Sequence, residues 1–218
     1  MATRDDVLMR IRTALGRTQP LSESEAAAIR RKLSEHPRGP LPTMSWDRMT
    51  RFRDRCLSLS STVDEVAGVD GVAAAVARFL SANDLPGAGV CWPEFAGLDW
   101  GNVGLAFEAR TCRENDKIGL TGAYCAIAET GTLMLLSGPD TPAKTSLVPE
   151  THIAVVAASR IVRAMEDGWD LLRREHATLP RQVAFVSGPS RTADIEMTLV
   201  LGIHGPYRVH VLLLRDDQ

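Results

Sequence analysis

Cysteine is scarce and dispersed in this sequence: Cys56, Cys91, Cys112 and Cys125 are the four, and no two form a C-x-x-C pair. That spacing gives no support for a zinc or iron-sulfur ligand set within the chain, and the four thiols are expected to be free and buried. Excess basic charge is missing as well. With 25 Lys and Arg against 27 Asp and Glu, the net charge of -2 offers no broad field for nucleic acid or an anionic membrane. Long apolar runs are absent: "IAVVAA" (residues 153–158) falls far short of the roughly 20 residues that span a bilayer. The opening "MATRDDVLMRIRTALGR" mixes acids and arginines where a signal peptide carries an apolar stretch, so a cytoplasmic location is expected. No phosphate-binding G-x-x-x-x-G-K loop, H-E-x-x-H or G-x-S-x-G motif occurs. "GAGVCW" (residues 87–92) starts like a dinucleotide fingerprint but lacks its third glycine and runs into a strand. The five histidines are scattered, and no metal site is expected.

What is present divides into two parts. Residues 1–60 read as helices. Val7, Leu8, Ile11 and Leu15 share one face; Ser22 with Glu25 makes a capping box; and Trp46, Met49, Phe52 and Cys56 form another stripe. "HPRGPLP" (residues 36–42) cannot be helical and reads as a hinge. From residue 61 to 218 the pattern alternates. "TVDEV" reads as a strand, Asp70 as the cap of a helix bearing Val72, Val76, Phe79 and Leu80, and "GVCW" as the next strand. "LMLLS", "HIAVVAA", "QVAFVS" and "VHVLLL" are further short apolar runs, with a helix expected from about Ile161 to Glu175. Such runs belong in an open, mostly parallel α/β sheet flanked by helices, with an N-terminal helical segment ahead of it.

Two stretches carry candidate chemistry. In "GLTGAYCAIAETGTLML" (residues 119–135), Glu129 lies in an apolar setting and is followed by Thr130, Gly131 and Thr132. Its carboxylate suits a general base, a nucleophile or a group orienting a substrate hydroxyl, and equally a buried acid bonding backbone N–H groups in a turn. "SGPSRTADIEMTLVLGIHGP" (residues 187–206) sets charges around an apolar middle, as a buried strand with a site at its ends would. Ser190, Arg191 and Thr192 together suit an anion, with Asp194 or Glu196 positioning the guanidinium; the same residues also suit an ion pair pinning a loop. His204 is a proton acceptor near neutral pH or a structural imidazole. Gly-Pro breaks follow three of the apolar runs, which places these polar groups near strand ends, where open α/β sheets bind ligands in the crevice at the carboxyl edge.

Taken with "LVPETHIAVV", these two stretches closely resemble the lactate-utilisation protein C family, the stand-alone form of the LUD domain, over at least residues 119–214. The resemblance implies a fold similar to the glucosamine-phosphate deaminase, ribose-phosphate isomerase and CoA-transferase group. It also implies a role in oxidising L-lactate to pyruvate alongside two partner proteins, one with cysteine-rich C-C-G motifs and one with iron-sulfur ligands and its own LUD domain. The clusters would then sit in the partners, and this chain would hold no cofactor. The family motifs point to Glu129, Thr130, Gly131 and Thr132, and to Ser190, Arg191, Thr192, Asp194, Glu196, His204 and Gly205. In the working hypothesis Arg191 binds the carboxylate of a small 2-hydroxy acid, His204 or Glu129 takes the hydroxyl proton, and the electrons leave toward a partner. Two other readings stay open: a stand-alone enzyme for a phosphorylated or CoA-linked small molecule, and a non-catalytic assembly or regulatory subunit. The N-terminal helices suit docking on a partner or on a second copy.

Overall fold

A computed structural model of the chain describes residues 2–17, 19, 21–195 and 198–215. They form two compact units, Met1–Thr43 and Met44–Gln218. The first unit holds helices α1 (Arg4–Ala14) and α2 (Glu23–Glu35), each opened by a capping box: Thr3 with Asp6, and Ser22 with Glu25. Neither helix buries a residue. Residues 36–42 form no helix or strand. The division falls after Thr43 rather than at residue 60, so helix α3 (Arg48–Ser58), with Phe52 and Cys56 buried, belongs to the second unit.

That unit is built on a six-stranded parallel sheet. Its strands are β1 (Thr62–Val66), β2 (Ala88–Cys91), β3 (Ala106–Ala109), β4 (Ile118–Gly122), β7 (Thr151–Ala157) and β12 (Arg208–Leu214), in the order β1-β12-β7-β4-β2-β3. Every pairing is parallel. Central strands covered on both faces need apolar side chains at consecutive positions, which is why β7 and β12 read as runs rather than alternations. Helix α4 (Val72–Ala82) makes the first crossover and buries Val72, Val76, Phe79 and Leu80 as its spacing predicts. Asp70 does not cap it. The residue sits in a 3-10 turn, and α4 starts from Gly71 without a side-chain cap. A Cβ at Gly71 would lie 2.7 Å from Val66 Cγ1, so strand and helix are too close there for a capping side chain.

The open, mostly parallel α/β sheet is as expected from the sequence, but two of the apolar runs assigned to it lie in a second sheet. "LMLLS" and "QVAFVS" form β6 (Thr132–Leu136) and β9 (Val183–Val186) of a second, four-stranded sheet with β5 (Cys125–Ile127) and β8 (Ile161–Val162), in the order β8-β5-β6-β9. The chain passes from β4 into β5 and reverses in the turn at residues 128–131, so β6 runs antiparallel to β5, and it pairs antiparallel with β9 as well. The short helix α5 (Lys144–Leu147) precedes β7. Because Ile161 and Val162 pair with β5, helix α6 begins only at Met165 and ends at Glu175. The described residues of the stretch 187–206 join neither sheet. It makes a separate antiparallel hairpin of β10 (Arg191–Ile195) and β11 (Thr198–Leu201).

Two histidines lie in the main sheet. His152 is fully buried, its Nε2 2.8 Å from Thr121 Oγ1 and its Nδ1 without a partner. His210 stacks on Phe79 at 3.9 Å and places Nδ1 2.8 Å from Thr62 Oγ1. Burial pushes both imidazoles down to about 4, so they are neutral in the fold. An unfolded imidazole takes up a proton near pH 6.5. Below that pH the unfolded chain binds more protons than the folded one, and folding weakens as pH falls toward the folded value. The urea midpoint is therefore expected to fall steadily from pH 7 to pH 5; a flat profile over that window would contradict neutral burial of these rings.

Candidate functional site

A crevice of about 690 Å³ opens at the carboxyl edge of the main sheet. Its floor is Gly122 and Ala123 after β4, Val155 and Ala157 of β7, and Leu214 of β12. Trp92, Glu94 and Phe95 after β2 form one wall; Ser137 and Gly138 after β6, with residues 176 and 178–180 after α6, form another. Parallel strands all end on this edge, so their following loops converge on one concave surface. The volume suits a ligand larger than a three-carbon acid.

Glu94 is an exposed acid on the wall of the crevice, its carboxylate lying against Gly122. Burial raises its pKa above the ordinary carboxylate value, and the Gly122 backbone N–H that donates to it works the other way. A Cβ on Gly122 would collide with Glu94 Oε1, so only glycine lets the carboxylate lie against β4. Across the opening, Arg160 holds Glu175 with two parallel hydrogen bonds of 2.7 and 2.9 Å and donates Nε to the Tyr124 carbonyl at 2.9 Å. The Tyr124 hydroxyl donates to the same carboxylate at 2.7 Å. These bonds from Arg160 and Tyr124 hold Glu175 down at about 2, while burial and the carboxylate beside it push Tyr124 up to about 12. Arg160 is the one Lys or Arg among the described lining residues, and it is committed to Glu175. The crevice thus offers an acid with a raised pKa and apolar walls, with no unpaired Lys or Arg among its described lining residues.

The residues singled out from sequence lie elsewhere. Arg191 donates Nη2 to the Leu59 carbonyl at 2.7 Å and to Ser60 Oγ at 2.9 Å. Ser190 N–H donates to the Pro206 carbonyl, and Gly205 approaches within 3.3 Å of Ser190 Cβ as measured from an added Cβ. The two motif elements do meet, but at the amino ends of β1 and β12, opposite the crevice. His204 is exposed in the bend after β11 and Thr192 is buried. Only the backbone of Asp194 is described, and Glu196 lies outside the described residues.

Glu129, Thr130 and Gly131 form the turn between β5 and β6. Glu129 is half-buried and gives its backbone N–H to the Arg163 carbonyl at 3.0 Å. Thr130 Oγ1 lies 2.7 Å from Thr132 Oγ1, which is also bonded to Ser187 Oγ. Gly131, at φ +68°, packs on α3: an added Cβ would stand 2.7 Å from Arg55 Cβ and 2.9 Å from the Cys56 nitrogen. Gly188, at φ +78°, approaches the Leu59 carbonyl in the same way. So Gly131, Gly188 and Arg191 converge on the last turn of α3. That helix ends with Ser60 left-handed, Ser61 N–H donating to the Cys56 carbonyl and Ser60 N–H to that of Leu57.

Sequence reasoning missed the crevice residues Glu94, Tyr124, Arg160 and His176. "WPEF" directly after a strand was the available signal for Glu94, since an acid just past the carboxyl end of a strand sits where open α/β sheets bind ligands. All four cysteines are free and buried. Burial pushes Cys56 up to about 12 and Cys91 and Cys125 to about 11, so these thiols stay protonated near neutral pH. Among the described residues no group of three or more His, Cys, Asp or Glu is placed to hold a metal ion, and no helix is long and apolar enough to cross a membrane.

Fold and crevice define an open α/β protein with a ligand-sized cleft at the carboxyl edge of a parallel sheet. The model of the LUD domain matches residues 99–214, and the chain belongs to that family. Among curated relatives, lactate utilization protein C of Bacillus subtilis (strain 168) is 40% identical over 106 residues, covering 47% of this chain and 44% of that protein. Lactate utilization protein C of an Exiguobacterium species is 34% identical over 143 residues, 64% of this chain and 62% of that one. The match thus spans about half to three-fifths of these relatives. A crystal structure of a DUF162 family protein from Deinococcus radiodurans superposes with a TM-score of 0.57 at 25% identity, covering 79% of this chain and 99% of that one.

The approach of Gly131 to α3 yields a paired test. Gly104 also has a positive φ, +71°, but nothing lies within 4 Å of an added Cβ. Gly104→Ala is expected to cost about 1 kcal/mol for the left-handed backbone alone. Gly131→Ala is expected to cost about 3 kcal/mol, because α3 must also move. Urea denaturation of both variants checks this, and equal losses would contradict tight docking of the turn on α3.

Proposed function

We propose that the chain serves in lactate utilisation, as a subunit of an iron-sulfur-dependent system that oxidises L-lactate to pyruvate, and that its own part is binding rather than electron transfer. The observation that carries this reading is the 40% identity over 106 residues to a protein named for lactate utilisation. Lactate loses two electrons and two protons on becoming pyruvate, and the electrons would pass to clusters in two partner proteins. The donor chemistry of this chain supports that division. Iron binds thiolate, and the cysteines here are separately buried thiols held in the protonated form. For the alternative of a phosphorylated or CoA-linked substrate, the crevice has an unfavourable lining, since Arg160 is already paired with Glu175.

Deleting the gene is expected to abolish or severely slow growth on L-lactate as sole carbon source while growth on pyruvate is unchanged. The tagged chain, purified anaerobically from lactate-grown cells, is expected to bring down brown, iron-containing proteins with lactate-dependent dye reduction. Equal growth on both carbon sources, or a colourless solitary protein from such cells, would contradict the proposal.

A further inference from the structure

The arginines of α3 stand out once ion pairs are traced. Arg51 and Arg55 lie four residues apart and so share one face of the helix. That face carries the docked Gly131 turn: Arg55 Cβ is the atom nearest to an added Cβ on Gly131. Both side chains are half-buried, and the Nε of each is enclosed without a hydrogen-bond partner. Neither guanidinium makes an ion pair or hydrogen bond with a described residue. The Nη atoms are not among the enclosed, unpartnered atoms, so they reach solvent unbonded.

The surroundings hold this pair in place and keep it positive. Arg51 lies over the Trp46 ring at 5.6 Å, and Arg163 over the same ring at 5.7 Å. Arg163 is bonded to the Met44 and Trp46 carbonyls and Arg48 to that of Ile161, so neither brings a carboxylate into the group. Glu129, on the adjoining turn, makes no ion pair with Arg51 or Arg55. Two guanidinium groups one turn apart, with their inner edges covered and their Nη edges open, present forked donors end-on to a compact oxyanion. Desolvating a guanidinium without an acceptor is unfavourable, and a bound oxyanion supplies the missing acceptor.

We propose that Arg51 and Arg55 form a binding site for a small oxyanion, a carboxylate or phosphate, beside the Thr130-Gly131-Thr132 turn. Identifying that anion with the carboxylate of a 2-hydroxy acid rests on the reading above; the site itself does not. The hydroxyl relay from Thr130 through Thr132 to Ser187 runs through the same turn and supplies neutral donors for a hydroxyl next to the carboxylate. The crevice, whose one described guanidinium is paired, and this face, whose two make no ion pair with a described residue, would then have different tasks.

The test is to follow the arginine Nε–H resonances of the full chain during titration with sodium L-lactate, sodium phosphate and, as an ionic-strength control, sodium chloride. Saturable shifts of the Arg51 and Arg55 signals with lactate or phosphate, absent with chloride, are expected. Arg55→Gln and Arg51→Gln should each weaken binding at least tenfold. Arg53→Gln, on an exposed residue near Glu65 and Asp54, should leave it unchanged. Near-UV circular dichroism checks that each variant is folded. Saturation by lactate supports the site and its 2-hydroxy-acid assignment; saturation by phosphate alone supports the site and removes that assignment. Shifts that follow all three salts equally, or survive both substitutions, would overturn the proposal whatever the growth phenotype.

Discussion

The last turn of α3 is the joint on which the second unit depends. Its exposed carbonyls would be orphaned at a helix end, and three distant segments meet there instead. Arg191 reaches Leu59 across 132 residues of sequence, Gly188 passes against the same carbonyl, and Gly131 lies flat on the helix at Arg55 and Cys56. Two of these approaches require glycine at positive φ, and the third requires a donor long enough to reach the helix end. Through this turn the first strand of the main sheet, the β5–β6 turn of the second sheet and the segment leading into the β10–β11 hairpin share one anchor.

That joint divides the unit into two functional faces. On the carboxyl edge, Gly122 admits Glu94 against β4, and the Arg160–Glu175–Tyr124 network fixes the opposite rim, leaving a cleft bounded mainly by apolar groups. On the α3 side, the docked turn sits beside two arginines that make no ion pair with a described residue. An anion seeking complementary charge finds it near α3 rather than in the cleft. The motif that ties the unit together and the arginines proposed to take an anion are therefore neighbours.

Much of the sheet was legible because buried parallel strands leave a signature in consecutive apolar residues: the runs at residues 152–158 and 209–214 are β7 and β12, and the stripe from Val72 to Leu80 is α4. The Ser22–Glu25 box was legible for a similarly local reason. The second sheet was not, because a run such as residues 133–137 announces a strand but not which strands it pairs with. Arg191 and Gly131 were read as site residues since charge and glycine at a strand end serve ligands and helix ends alike; their contacts with the last turn of α3 are long-range and carry no local pattern. The Glu94 carboxylate reaches the crevice wall only because Gly122, 28 positions later, leaves room beside it. The spacing of Arg51 and Arg55 was in plain view on a helix read for its apolar stripe, but their lack of partners belongs to the tertiary structure.

The most direct test of this account is native-state amide hydrogen exchange on the Arg191→Ala variant. If the last turn of α3 is the shared anchor, the amides at residues 59–61 and those of the turn at residues 129–131 will exchange faster together, while β7 and β12 keep their protection. Unchanged exchange at α3, or a uniform acceleration across the whole sheet, would contradict it.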